Sequence, residues 1–449
     1  MKESSVIKII AIVSLILLLA GGYLFWRNDW AEKVFLRANI AGIGKGLDRL
    51  SFLRFVPELT GFGREKTYLF LFYNNLELRP TGGYLGNFGI AKIENGEIKS
   101  FEIHDTNIFD GFGKVKTEPP RPIKEYLKVD NWQMRDSNWS PDFPSAAAQA
   151  GYFYKLQGGQ ENFDGIIAIN ASVLPGVLNL TGPIYLEQFN EEFNAENVLY
   201  QLEYEVEKRY VARGIDPGER KLAFKTLVKA LANQLASGNF WQDKKLRNFV
   251  FQELNKKNIL LFFKNSEIQK AISGLKWDGK IDLGWPGDYL MINEANLGGK
   301  KSNAFIKREI EYSVDLSREK PEAKLKITYT HQGEQKDWFS DDYRFFLRVY
   351  VPNGSWLSQA RGTDSEAQFA EEFGKTVFGG WTIVPVNSQK TIEYDYFLPE
   401  KIKQGDIYRL LIEKQAGVNQ IPIKIIVKDK DGQERTEESV IEKNWLKEF

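Results

Sequence analysis

The hydrophobic pattern of this 449-residue chain changes period once, at Asn296–Ser302 (NLGGKKS), and that change limits the folds open to it. Before it, short apolar runs alternate with segments of helical spacing. Tyr68–Tyr73 (YLFLFY) reads as a buried strand. Tyr84–Ile93 and Ile98–Ile103 flank Asn95-Gly96, a strong hairpin signal. Ile166–Ile169 and Ile259–Phe263 read as further strands. Helical spacing marks Pro144–Tyr154, Ser172–Leu180, Glu196–Ala212, Glu219–Leu235 and Trp241–Asn255. This alternation predicts a mixed sheet covered by helices. Beyond the change, Leu325, Ile327 and Tyr329 alternate with Lys324, Lys326 and Thr328. Similar runs at 344–351, 381–386, 391–398, 407–413 and 423–428 predict an antiparallel β-sandwich. The expected class is α/β, with a mixed-sheet domain over 64–302 and a sandwich over 303–449.

Residues Val6–Trp26 (VIKIIAIVSLILLLAGGYLFW) are almost wholly apolar, about the ~20 residues that cross a bilayer. Lys8 lies close enough to the end to snorkel. The flanking charges orient the segment only weakly. Its position before a long soluble region predicts an uncleaved signal anchor; cleavage near Ala20-Gly21-Gly22 is the alternative. The expectation is a cytoplasmic tip and transmembrane helix at 1–26, then a helical stalk at 27–63 broken at Gly42, Gly44 and Gly46. The rest would lie outside the cell membrane, spanned once. The chain has no cysteine, which removes disulfides, thiolate chemistry and Cys-based zinc sites. It has two histidines, and 60 basic residues balance 60 acidic ones. Neither a multi-histidine metal site nor nucleic-acid binding is expected.

Isolated polar residues sit at the ends of the apolar elements. Arg79, Thr81 and Gly82-Gly83 follow the first strand, and His104-Asp105-Thr106 follow the hairpin. Arg213, Asp216 and Arg220 surround the start of an amphipathic helix, with Arg209 just before. Strand ends in α/β folds bind ligands, helix N-termini favour anions, and arginine forks match phosphate oxygens. The pattern therefore points to a phosphorylated, lipid-linked glycan. Each residue also has a plainer reading, as a turn arginine, a strand-end cap or a capping ion pair. The irregular stretch Asp110–Phe143 adds Arg135, Asp136 and Asp142. Its Trp132, Trp139 and Phe143 would either stack on sugars or form a satellite core.

NNLELRPTGGYLGNFG within Tyr68–Gly89 resembles the domain-of-unknown-function 4012 family. So do DSNWSPDFPSAA from Asp136, NFDGIIAINASVLPGVLNLTGPI from Asn162 and DYLMINEANLGGKKSN from Asp288. More distantly, the α/β domain resembles the LytR-CpsA-Psr family. Those membrane-anchored phosphotransferases move glycopolymers from polyprenyl-pyrophosphate carriers to cell-wall acceptors with a divalent cation. Arg79-Pro80-Thr81 looks like that family's Arg-Ser-Asp-Thr segment, and His104-Asp105-Thr106 is similar to its Arg-Asp-Thr. Arg209, Arg213, Asp216 and Arg220 follow the order of its spaced arginines.

The resemblance implies catalytic roles for Arg79, Asp105, Arg213 and Arg220, the arginines holding pyrophosphate. It implies substrate contacts from Thr81, His104, Arg209 and Asp216, to which the insertion would add Arg135. Magnesium would be held by Asp105 with Asp136 or Asp142. The partners implied are a polyprenyl-pyrophosphate-linked glycan, a cell-wall polymer and the membrane. The chain departs from the family pattern at two points. The aspartate of the first segment is missing, and His104 replaces an arginine. A non-catalytic envelope protein that binds a lipid-linked glycan or a protein partner is the alternative, and a hydrolase of the same pyrophosphate is a third reading.

Overall fold

The computed structural model describes residue 52 and residues 54–449, apart from 114, 238–243 and 404–406. The apolar run Val6–Trp26 and the stalk expected after it, through residue 51, lie outside the described residues. Among the described residues, no helix is long and apolar enough to cross a membrane.

The first sheet has five strands. They are β1 (Lys66–Arg79), β2 (Gly82–Glu94), β3 (Glu97–Asp105), β4 (Gly165–Asn170) and, after a small hairpin of β5 (Ile184–Leu186) and β6 (Glu191–Phe193), β7 (Ile259–Phe263). Their order is β3-β2-β1-β4-β7. β1 pairs antiparallel with β2 and parallel with β4, and β4 pairs antiparallel with β7, so the sheet is mixed as the sequence predicts. Asn95 and Gly96 both take positive φ, 52° and 77°, as a tight hairpin turn requires.

β1 is buried on both faces because its apolar run does not alternate with polar residues. Tyr68, Phe70 and Phe72 enter one cluster, together with the helices Val173–Thr181, Val198–Tyr204, Leu222–Ser237 and Lys244–Asn255. Leu69, Leu71 and Tyr73 enter another, against Phe143, Ala146, Ala147, Ala150 and Phe153 of the helix Phe143–Leu156. The two-residue period of a strand sorts one run into two cores. Phe52, Val56 and Leu59 are also buried in the first cluster, so the end of the expected stalk packs into this domain.

The second region holds two six-stranded sheets. One has the order β12-β15-β10-β9-β17-β18, with β9 (Ile306–Asp315), β10 (Glu322–His331), β12 (Trp356–Arg361), β15 (Ser388–Phe397), β17 (Ile421–Lys428) and β18 (Glu434–Ile441). The other has the order β13-β14-β11-β8-β16-β19, with β8 (Asp288–Asn296), β11 (Tyr343–Pro352), β13 (Gln368–Glu372), β14 (Lys375–Val384), β16 (Arg409–Ile412) and β19 (Trp445–Glu448). Both sheets contribute to one cluster, including Ile310, Tyr312, Leu325, Phe345, Leu347 and Val349.

The expectation of purely antiparallel sheets is corrected here. β17 pairs parallel with β9, and β16 pairs parallel with β8. Alternation in sequence reports that one face is buried. It carries no information about the direction of the neighbouring strand, which a long connection can reverse. β8 also precedes the change of period at 296–302, where its burial on both faces hides any alternation.

The end of β1 stays paired with β2, Leu78 opposite Gly83 and Arg79 opposite Gly82, and also packs on the second region. Leu78 is part of the two-sheet core. Asn75 Nδ2 donates to the Gly417 carbonyl at 2.9 Å, and Leu78 N donates to Asn303 Oδ1 at 3.0 Å. Asn293 Nδ2 donates to the Pro80 carbonyl at 3.0 Å, and Gln415 Nε2 to the Arg79 carbonyl at 3.1 Å. The segment ELRPT is thus clamped between the two regions.

Candidate functional site

A cavity of about 470 Å³ opens beside the ends of β1 and β4, under the helices Val198–Tyr204 and Leu222–Ser237. One wall is apolar, formed by Phe72, Ile169, Leu174, Leu202, Phe224 and Val228. The other wall is charged and begins at Arg79, which is 2% exposed. Its guanidinium pairs with Glu77 at 3.0 Å and Asp136 at 3.5 Å, donates to the Asn296 carbonyl, and lies 5.5 Å over the Tyr84 ring. Among the described residues, its buried Nε has no hydrogen-bond partner. Burial works against the Arg79 charge, but Glu77 and Asp136 outweigh it and raise its pKa.

Burial raises the Asp136 pKa, with Arg79 opposing. Burial would do the same to Glu77, but Lys301 at 3.2 Å and Arg79 hold it below its ordinary value. Glu203 accepts from Asn74 Nδ2 at 2.8 Å and lies 3.7 Å from Lys301, and burial raises its pKa. Lys221 pairs with Asp105 at 2.9 Å and donates to the Gly86 carbonyl; burial lowers its pKa despite the aspartate. Arg220 pairs with Glu207 at 2.8 Å on the rim.

The structure brings Arg79, Arg135, Asp136 and Arg220 to this cavity, with Asp105 just behind Lys221. Arg135 is itself held by Asp110 at 2.9 Å and by Asn107 at 3.1 Å. The other expected residues are placed elsewhere, each for a local reason. Arg213 and Arg209 do not border the cavity. Both turn onto the buried Glu205, at 2.8 and 3.1 Å, and Arg213 also donates to the Phe189 carbonyl. Asp216 caps the turn Pro217–Glu219 through Gly218 N at 2.7 Å. Thr81 is buried where its backbone bridges Ala416. His104 stacks on Phe88 at 5.0 Å, on the face toward the helix Phe143–Leu156, and burial lowers its pKa. Gly83 does not serve a ligand: a Cβ there would sit 2.2 Å from the Asn74 carbonyl group.

The three carboxylates expected to hold magnesium have separate tasks. Asp105 caps the helix Thr106–Gly111 and pairs with Lys221. Asp136 pairs with Arg79. Asp142 caps the helix Phe143–Leu156 through Ser145 N at 3.1 Å and accepts from Ile281 N at 3.1 Å. Among the described residues, no group of three or more His, Asp or Glu side chains could hold a metal ion. The donor set does not fit a resident magnesium.

Of the aromatic residues in the insertion, Phe143 is core and Trp132 packs on Phe153 at 5.2 Å. Trp139 lies against Phe346 and under Arg348. They form satellite packing. Glu77, Glu203, Glu207, Lys221 and Lys301 belong to the site and escaped the sequence reading. No local motif marks them; they converge from β1, one helical segment, a helix start and the loop before β9.

These features define an α/β domain with a cavity half apolar and half charged, docked on a two-sheet region. Residues 64–206 match the family described as "Protein of unknown function (DUF4012)", in agreement with the resemblance read from the sequence. The match includes Arg79, Arg135, Asp136 and Glu203 and ends before Arg220, Lys221 and Lys301. No curated protein matches the chain.

Among solved structures, the Lin1025 protein of Listeria innocua is similar at 14% identity, over 49% of this chain and 81% of that one, with a TM-score of 0.27. An aminopeptidase A of Legionella pneumophila is similar at 16% identity, over 27% and 16% of the two chains, with a TM-score of 0.18. A Legionella pneumophila protein ascribed nutrient binding is similar at 11% identity and a TM-score of 0.19; the likeness covers 27% of this chain and half the length of that protein. Likenesses at this level carry no functional argument.

Proposed function

We propose that this chain is a membrane-anchored, extracytoplasmic cell-envelope protein whose cavity binds the phosphate end and adjoining isoprenoid of a polyprenyl-pyrophosphate-linked glycan. In this reading the α/β domain is LytR-CpsA-Psr-like and the two-sheet region is a β-sandwich. One observation carries it: the cavity joins an apolar wall to a wall with five cationic and four carboxylic side chains. Five cationic side chains against four carboxylic ones leave the wall net cationic; burial raises the pKa of Asp136 and Glu203 and lowers that of Lys221. An amphiphile with an anionic head matches both walls, and arginine forks suit phosphate oxygens.

Binding is favoured over turnover. Of the three arginines expected on pyrophosphate, only Arg79 and Arg220 border the cavity, and the carboxylates do not fit magnesium. Transfer of the glycopolymer to a cell-wall acceptor is the second reading, supported by the same Asp136 and Glu203. In its ionised form, a carboxylate with a raised pKa is a stronger base for the proton of an attacking hydroxyl.

Calorimetry on the full chain in nanodiscs with a short-chain polyprenyl pyrophosphate tests the reading. Saturable binding is expected. Arg220→Ala should weaken it by roughly tenfold or more, since a charged hydrogen bond contributes about 1.5–3 kcal/mol. Arg361→Ala, on an exposed strand of the second region, should leave it unchanged. Undetectable binding by folded protein would overturn the assignment. The topology has its own test. Protease added to intact cells with a permeable wall should digest the region after residue 27, and full protection would reverse the orientation.

A further inference from the structure

A second, larger cavity of about 1120 Å³ lies between the α/β domain and the two-sheet region. Leu76 and Leu199 line both cavities, so the two are neighbours across a shared wall. The helix Val198–Tyr204 divides them: Leu202 and Glu203 face the first, and Tyr200 faces the second.

The chemistry of this second cavity differs from that of the first. Four acidic side chains are matched by four basic ones along its lining, so it offers no net charge to an ion. Instead it is rich in carboxamides. Among the described residues, Gln332, Asn419 and Gln420 line it, are exposed, and make no side-chain hydrogen bond within the protein. Each carries both donors and an acceptor. Ser172 also lines the cavity, and its hydroxyl is buried without a partner. One side is an aromatic step. Tyr200 is 50% exposed and packs on Phe339 at 5.2 Å and on Trp338 at 5.7 Å, and Phe305 abuts Phe339 at 6.0 Å.

A ligand that satisfies free carboxamides needs groups that both donate and accept, and a ligand that covers Tyr200 needs a flat apolar face. Pyranose rings have both: hydroxyls around the edge and C–H groups on the faces. A tyrosine ring presents the matching surface, apolar in body and wet at the tip. The volume exceeds the roughly 300–1,000 Å³ of a drug-sized pocket, which suits several sugar units.

We propose that this interdomain cavity is an oligosaccharide-binding site for uncharged pyranose units, with Tyr200 as the stacking surface and Gln332, Asn419 and Gln420 as hydroxyl partners. That the sugars belong to the same molecule as the phosphate in the first cavity rests on the function proposed above. Sugar binding itself does not.

The test uses the full chain in nanodiscs and three probes: linear hexasaccharides of glucose, N-acetylglucosamine and mannose. Binding is read by saturation-transfer NMR and calorimetry. At least one probe is expected to bind, with Tyr200→Ala weakening it roughly tenfold, about 1.4 kcal/mol, and Gln420→Ala by less. Arg361→Ala is expected to change nothing. Failure of all three probes to bind folded protein, or binding indifferent to both Tyr200→Ala and Gln420→Ala, would overturn the proposal. Sugar binding without polyprenyl-pyrophosphate binding would overturn the reading of the first cavity alone. The reverse result would overturn only this one.

Discussion

Arg308→Ala is expected to destabilise the two-sheet region by about 3–5 kcal/mol, the usual effect of stripping one partner from a buried ion pair. Arg308 stands on β9 in one sheet and Glu294 on β8 in the other. The guanidinium meets the carboxylate with both forks, Nε to Oε1 and Nη2 to Oε2, each at 2.7 Å. The Glu294 side chain is 1% exposed and that of Arg308 is 10%. Burial alone would lower the Arg308 pKa, but Glu294 outweighs it and raises it well above its ordinary value. Tyr329 and Tyr343 also donate their hydroxyls to Glu294, on the core side.

Without the guanidinium, a carboxylate stays buried on two neutral donors. Neutralising both partners, as Glu294→Leu with Arg308→Met, should recover much of the loss, because it removes the desolvated charge as well as the attraction. The variants differ in the midpoint of guanidinium unfolding followed by tryptophan fluorescence. A loss under about 1 kcal/mol for Arg308→Ala would mean the pair behaves as a solvated surface bridge.

The second large effect is a dependence on pH above neutrality. Lys414 is buried, and among the described residues its ammonium has only the carbonyls of Lys256 and Gln415 as partners, at 3.0 and 3.1 Å. Burial pushes its pKa down to about 7, with Lys257 adding to the effect and Glu253 opposing it. The unfolded chain holds that proton up to about pH 10.4. The folded state therefore binds fewer protons between the two values, and stability rises with pH through that window. It is lowest below pH 7, where both states carry the charge and only the folded one buries it. Lys414 alone contributes a gain of about 2 kcal/mol between pH 7 and 9. Lys221 and Lys257, also lowered by burial, act in the same direction.

Denaturation at pH 7 and 9 should show the rise, and Lys414→Met should flatten it. An unchanged slope in that variant would assign the dependence to other groups. Asp288 works in a separate window with the opposite sign. Burial raises it to about 6, although Tyr408 and Tyr312 donate to it. Its contribution is complete below about pH 4 and is lost as pH rises through 6.

Periodicity and turn chemistry are local properties, and what depended on them was legible in the sequence. YLFLFY is a buried strand because nothing in it favours one face. Asn95-Gly96 turns the hairpin because both residues accept positive φ. The five-stranded mixed sheet, its covering helices and the β-rich C-terminal region follow from such patterns. The NNLELRPTGG segment carried the family likeness for the same reason.

What the sequence could not show was which partner each charge would find. Arg209, Arg213, Asp216 and Arg220 look alike as a spaced series. The fold turns Arg209 and Arg213 onto the buried Glu205, leaves Asp216 capping a turn, and sends only Arg220 to the cavity. Asp105 reads equally well as a ligand or a strand-end cap, and Asp142 as a ligand or a solvated loop residue; both cap helices. Glu203, Lys221 and Lys301 carried no signal, yet they complete the charged wall. Local structure depends on neighbours a few residues apart. The protonation, pairing and placement of a buried charge depend on what lies within a few ångströms of it, and in this chain those neighbours come from residues as distant as 77, 203 and 301.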